Sequence, residues 1–204
     1  EKGRPGEHTT ITEDEHGTYI MNSKDLRAVE HVNRLVNIGI DCLKIEGRTK
    51  SHYYVARTAQ SYRQAIDAAE RGEAFNPALL GELENLANRG YTNGFFERHH
   101  THDYQNYIDS HSKSRQQSFI GEMLSYDPAT SVAEIDVKNK FSIGDKLQLV
   151  TPNGNEDIIV SNMEDRYGKQ MEAALGSGYF VRMQLPESAN DHSLLARYIQ
   201  GSPD

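Results

Sequence analysis

The most unusual run of side chains able to do chemistry is Leu43-Lys44-Ile45-Glu46-Gly47-Arg48-Thr49-Lys50-Ser51. If it is a strand running into a loop, alternation puts Lys44 and Glu46 on one side, with Arg48 and Lys50 on the loop. Cations so grouped suit an anionic ligand such as a phosphate or nucleotide, and a glutamate among them pairs with a cation or moves a proton. A structural salt bridge uses the same residue types, so both readings stand. Asn22-Ser23-Lys24-Asp25-Leu26 occupies the corresponding place one unit earlier, where Asn22 and Ser23 either bind a ligand or cap a helix. His99, His100, His102 and Asp103 lie close together, but a polar loop accounts for them and no metal site is assigned. Cys42, the one cysteine, reads as a buried, inert thiol, since no histidine or cation is placed to lower its pKa. A lone cysteine excludes an intrachain disulfide, and a thiolate cluster would need ligands from outside this chain. GxSxG, HExxH, Walker A, CxxC and strand-borne GxGxxG signatures are all absent, which argues against a self-contained hydrolase of those kinds.

The elements that must position these groups follow from periodicity. Gly17–Ser23 reads as a short buried strand, with Ser23 or Asp25 capping a helix that ends near Gly39. Ile40–Glu46 alternates like a strand, and Tyr54, Val55, Thr58, Ala59, Tyr62, Ala65, Ile66 and Ala69 mark a long helix from about Ser51 to Arg71. A further helical stretch runs from Pro77 to Asn88. Two such strand–helix units cannot close a sheet alone, so residues 1–98 read as the end of a (β/α) barrel, with strand ends at its mouth. Residues 99–118 form a polar connector. Residues 119–204 carry six candidate strands, 119–124, 131–137, 146–150, 158–163, 178–185 and 194–199, and predict a small all-β barrel. There Phe141, Ile143, Leu147 and Leu149 are expected in the core, and Pro152-Asn153-Gly154-Asn155 is a hairpin turn. The pattern resembles the second domain of translational GTPases, and fold likeness of that kind carries no function.

With 22 Lys+Arg against 30 Asp+Glu the net charge is −8, divided as −4 over residues 1–112 and −4 over 113–204. Neither half is a basic nucleic-acid module, so RNA binding would need cations gathered on one face, such as Arg48, Lys50 and Arg57 or Lys138, Lys140 and Lys146. No apolar run is long enough for a membrane helix and no signal-peptide core precedes the first elements, so the expectation is a soluble, cytoplasmic protein. The chain opens on Glu1 in a loop-like segment, which suggests the later part of a longer protein.

Three segments together, His16–Leu26, Leu43–Ser51 with Tyr53-Tyr54, and Arg89–Phe96, resemble the peptidase U32 family of collagenase-like proteases. The likeness extends to the KNKFSIGD and HTHDYQNY stretches, and within the family it is nearest the branch that makes 5-hydroxyuridine at the tRNA wobble position. That resemblance implies a (β/α) barrel followed by a small β-barrel, tRNA as partner, and hydroxylation without molecular oxygen from a prephenate-derived donor. It also implies an iron-sulfur cluster held by cysteines upstream of this chain, so the chain alone holds no cofactor and is expected to be inactive. Carried onto this sequence, Glu46, Lys44 and Arg48 become candidate catalytic residues. Asn22, Ser23, Lys50 and Tyr54 become candidate substrate-binding residues. No protease nucleophile is matched, although peptide hydrolysis through Glu46 or the His99–His102 group stays open, as does a non-catalytic RNA-binding barrel. No oligomeric state is assigned.

Overall fold

The computed structural model describes residues 11–14, 17–20, 22–86, 90–94, 96, 105–106 and 117–199, with the backbone alone at 11–23 and 105–106. The chain forms two units, Glu1–Ile45 with Ser61–Ser114 and Glu46–Gln60 with Arg115–Asp204. Residues 46–60, grouped by their sequence with the N-terminal half, therefore pack with the C-terminal strands. Most of the expected connector lies outside the described residues.

In the first unit β1 (Ile11–Asp14) and β2 (Gly17–Ile20) form an antiparallel hairpin. β3 (Asn22–Ser23) pairs antiparallel with Gln105–Asn106, and β4 (Asp25–Leu26) pairs parallel with Tyr91–Thr92. The expected strand Gly17–Ser23 is thus divided. Asp25 N–H donates to the Gly90 carbonyl and Arg27 N–H to that of Thr92, both at 2.9 Å. Backbone held in a ladder cannot open a helix, so the expected cap at Ser23 or Asp25 does not form. Helical structure starts later, with a 3-10 turn at Val29–His31 leading into α1 (Val32–Asn37). It stops before Gly39, whose φ of +82° is the left-handed conformation common after helix ends.

The largest departure follows at once, because Ile40–Glu46 is not a strand. A strand persists only where neighbours take up its amides and carbonyls, and among the described residues none pairs with 40–46. Its alternation buries nothing: Ile40 is 47% exposed, Ile45 39%, and Cys42 is exposed instead of buried. The long helix does form, as α2 (His52–Glu70), beginning in the second unit and continuing in the first. α3 (Ala78–Glu84) follows, then β5 (Tyr91–Thr92) and β6 (Gln105–Asn106). The first unit's core is Val29, Val32, Ala65, Leu79, Leu83 and Leu86, all buried.

The second unit holds β7 (Gln117–Asp127), β8 (Val132–Val137), β9 (Asn139–Ser142), β10 (Lys146–Thr151), β11 (Gly154–Ile159), β12 (Glu164–Asp165), β13 (Ala173–Gly176), β14 (Phe180–Gln184) and β15 (Leu194–Tyr198). Seven form one antiparallel sheet in the order β11-β10-β15-β7-β8-β14-β12, and β13 pairs with β9. The count among the described residues is nine strands, not six, because β9, β12 and β13 are too short to alternate visibly. β8 alternates as its sequence demands, with Ala133, Ile135 and Val137 fully buried. Phe141, Leu147 and Leu149 join the core as expected; Ile143 does not, being 43% exposed in the turn after β9. β10 and β11 are joined by the two residues Pro152-Asn153, between the paired Thr151 and Gly154. The molecule is thus a mixed α/β chain whose main sheet is antiparallel.

Candidate functional site

The segment that opened the sequence reading forms a tight turn into α2. The Lys50 N–H donates to the Gly47 carbonyl at 2.9 Å, and the Glu46 Oε1 accepts the Arg48 N–H at 3.1 Å. A carboxylate that receives a backbone N–H steadies the turn, and among the described residues no ion pair engages Glu46. Ser51 supplies the helix start, its Oγ accepting the Tyr54 N–H at 3.2 Å, and the Lys50 ammonium lies over the Tyr54 ring, 4.8 Å from its centroid. Glu46, Arg48, Lys50 and Tyr54 therefore share one short segment of the second unit, with Glu46 and Arg48 exposed. Lys44 is exposed and belongs to the first unit, as do Asn22 and Ser23, whose backbone pairs with Asn106 and Gln105.

Beside this turn, the first residues of α2 are locked to the sheet by a polar chain that the sequence did not disclose. Tyr53 stacks on Phe119 with centroids 4.9 Å apart, and its hydroxyl donates to Gln117 Oε1 at 2.8 Å. Further along α2, Gln60 Nε2 donates to the Thr151 carbonyl at 2.6 Å and to Asn155 Oδ1 at 2.9 Å, while its Oε1 accepts from Arg57 at 2.9 Å. Arg57, offered by the sequence as a surface cation, is buried. Lys138 and Lys146 are likewise spoken for. The Lys138 ammonium sits 2.8 Å from both Asp136 and Glu122, which raises its pKa, and Lys146 lies 2.7 Å from Asp157. Glu122 also meets His52 at 2.9 Å.

A second group, which the sequence reading missed, surrounds the hairpin between β12 and β13. Asp165, Arg166, Lys169, Glu172, Tyr179 and Phe180 are among the residues lining an open groove of about 550 Å³. Arg166 lies over the Phe180 ring, 4.3 Å from its centroid, and with Arg182 also lines a neighbouring groove of about 320 Å³. Tyr167 stands out at 88% exposure. The only signal in the sequence was Arg166-Tyr167-Gly168-Lys169, an aromatic and two cations around a turn glycine, too short to mark a motif.

His99, His100, His102 and Asp103 lie outside the described residues. Among the described residues no three His, Cys, Asp or Glu side chains are grouped to hold a metal ion. A thiolate-held iron-sulfur cluster does not fit the residues present, since this chain has one cysteine and it is exposed. Among the described residues no helix is long and apolar enough to cross a membrane.

Comparison with known proteins places these features in a family. Residues 2–106 match the family described as Peptidase family U32, and residues 115–197 match its C-terminal domain. The tRNA hydroxylation protein P of Escherichia coli (strain K12) is 52% identical over 98% of this chain, and that of Haemophilus influenzae (strain ATCC 51907 / DSM 11121 / KW20 / Rd) is 49% identical over 97%. A Porphyromonas gingivalis protein named Collagenase is 25% identical over 88% of this chain, which covers 50% of that protein. The chain spans 44% and 43% of the length of the two tRNA hydroxylation proteins. With both of its halves matched by the family's two parts, the chain belongs to peptidase family U32.

Proposed function

We propose that this chain is the C-terminal portion of a tRNA-modifying hydroxylase that converts wobble uridine to 5-hydroxyuridine. The observation that carries this is identity of about half over nearly the whole chain to two proteins named for tRNA hydroxylation. In this reading residues 1–98 complete a (β/α) barrel begun upstream, and the C-terminal strands form a β-barrel akin to the second domain of translation factors. The reaction runs without molecular oxygen, in the cytoplasm, and takes its oxygen from a prephenate-derived donor. An iron-sulfur cluster held by cysteines outside this chain would supply redox chemistry. This chain's own residues bind and orient. Arg48 and Lys50 attract an anionic group of donor or tRNA, and Tyr54 gives Lys50 a fixed place; Lys44, Asn22 and Ser23, in the first unit, are separate candidates for substrate contact. Glu46 holds the turn that presents Arg48 and Lys50 and carries a carboxylate able to move a proton there.

The test is mass spectrometry of total tRNA from cells lacking the gene, complemented with the full-length protein, its Glu46 variants, or the 204 residues alone. Restoration by the full-length protein only is expected. Normal 5-hydroxyuridine in the uncomplemented deletion strain would overturn the proposal. Glu46→Ala and Glu46→Gln are both expected to lose at least ten-fold in product; retention by the glutamine form would reduce Glu46 to a turn former.

A second reading, peptide hydrolysis, is favoured by the family's name and by the relative named Collagenase. It predicts gelatin cleavage by the purified full-length protein that Glu46→Ala abolishes, and absence of cleavage removes it.

A further inference from the structure

The hairpin tip Asp165–Lys169 is built to hold its cations and its aromatic outward. Asp165 Oδ1 accepts the N–H groups of Tyr167 and Lys169 at 2.8 and 2.9 Å, and the Gly168 N–H donates to the Asp165 carbonyl at 3.0 Å. Gly168 has a φ of +83°, which a residue with a β-carbon adopts only with strain. Glu164 Oε1 accepts from Gln170 at 2.6 Å across the base of the hairpin. The carboxylates of Asp165 and of Glu164 at the base are thus turned onto their own chain, while Arg166, Tyr167 and Lys169 are exposed.

The cations of this face, like Arg48 and Lys140, are outside the described ion pairs of the second unit. Lys138, Lys146 and Arg197 are each held by a carboxylate, whereas no described ion pair engages Arg166, Lys169 or Arg182. Arg166, its guanidinium over the Phe180 ring, and Lys169 line one open groove, and the exposed Tyr167 stands between them on the same tip. Planar groups beside cations suit a ligand with flat faces joined by phosphates: unstacked bases lie on the rings and guanidinium, and the backbone meets the ammonium. A paired helix hides its bases from such a platform. An acidic peptide would use the cations and leave the tyrosine idle.

We propose that the Asp165–Lys169 tip and the groove beside β14 dock an unpaired stretch of RNA, with Tyr167 and Arg166 as base platforms and Lys169 and Arg182 on phosphates. This rests on the tRNA reading above and names where the substrate is held apart from the reacting base. Glu172 lines the same groove, and no described hydrogen bond or ion pair engages its carboxylate, so it opposes the phosphate chain and limits affinity.

The experiment is fluorescence anisotropy of a labelled unstructured oligouridylate with the 204-residue chain. Variants are Tyr167→Ala, Tyr167→Phe, Arg166→Ala with Lys169→Ala, Glu172→Gln, and Lys146→Ala as a control on a paired cation, each checked for an unchanged melting curve. Loss of a stacked base should weaken binding on the order of ten-fold in Tyr167→Ala, with Tyr167→Phe close to the unaltered chain. The double variant should flatten the slope of log K against log salt by about 0.7, the share of the one phosphate contact that Lys169 makes to single-stranded RNA. Glu172→Gln should bind more tightly and Lys146→Ala unchanged. Binding by Tyr167→Ala equal to the unaltered chain overturns the proposal, and so does loss in the double variant alone, the signature of an acidic-peptide site. Failure of the unaltered chain to bind overturns it too, while the cellular 5-hydroxyuridine assay stands or falls separately.

Discussion

Tyr62 shows how a single polar atom anchors the first unit. Its hydroxyl oxygen accepts the Ala28 N–H at 2.8 Å, just before the 3-10 turn, and burial raises the pKa of the phenol against the opposing pull of that hydrogen bond and of Arg27. Tyr62→Phe keeps the ring and strands the Ala28 N–H, which should cost about 1 kcal/mol in denaturant unfolding. The pH dependence has a definite sign. A phenol whose folded pKa lies above its unfolded value binds its proton more tightly when folded. Its contribution is therefore complete below pH of about 10 and is lost as pH rises through the folded value. Urea titrations across that range should show a steeper alkaline decline for the unaltered chain than for Tyr62→Phe. Parallel curves would remove Tyr62 as the cause. Spacing placed Tyr62 on the inner face of α2 but could not show its partner, because Ala28 is 34 residues away. Glu46 differs: its type and place made it a candidate, and only coordinates reveal that its carboxylate closes a turn.

Among elements, legibility follows where the partners are. β8 shows its burial in its own letters, because alternate residues meet one core. Ile40–Glu46 alternates just as well and is no strand, since alternation states which face would be buried and not whether a neighbour supplies hydrogen bonds. β7 adds a constraint invisible in sequence. At Gly121 a β-carbon would come within 2.8 Å of both the Asp136 carbonyl oxygen and Ile135 Cγ2, so the strands approach more closely than a side chain permits. Gly121→Ala should destabilise the second unit by roughly 1–3 kcal/mol as overpacking, read from the denaturant midpoint. The docking of α2 on the β10–β11 hairpin depends similarly on Gln60, which satisfies the Thr151 carbonyl, Asn155 and Arg57 at once. Gln60→Leu keeps the bulk and removes every one of those bonds, and a loss of about 2 kcal/mol is expected. A midpoint within error of the unaltered chain would show that water replaces them.

For the whole molecule, cysteine content sets what this chain contributes to the chemistry. A cluster bound by thiolates needs a set of cysteines converging on one point, and here there is one, exposed in a stretch with no regular structure. The cations lie elsewhere, on the turn before α2 and at the tip after β12. Under the proposed function the labour divides: this portion grips the substrate, and redox capacity resides in the rest of the protein. Anaerobic incubation of the 204 residues with ferrous iron and sulfide should therefore leave, after desalting, no bound iron and no charge-transfer absorption. In the full-length protein Cys42→Ser should leave iron content and spectrum unchanged. Tight stoichiometric iron on the isolated chain would contradict this division, and loss of iron in full-length Cys42→Ser would make Cys42 a ligand. Because the melting curve and RNA binding of the isolated chain can be read in the same preparation, misfolding and absence of ligands are told apart.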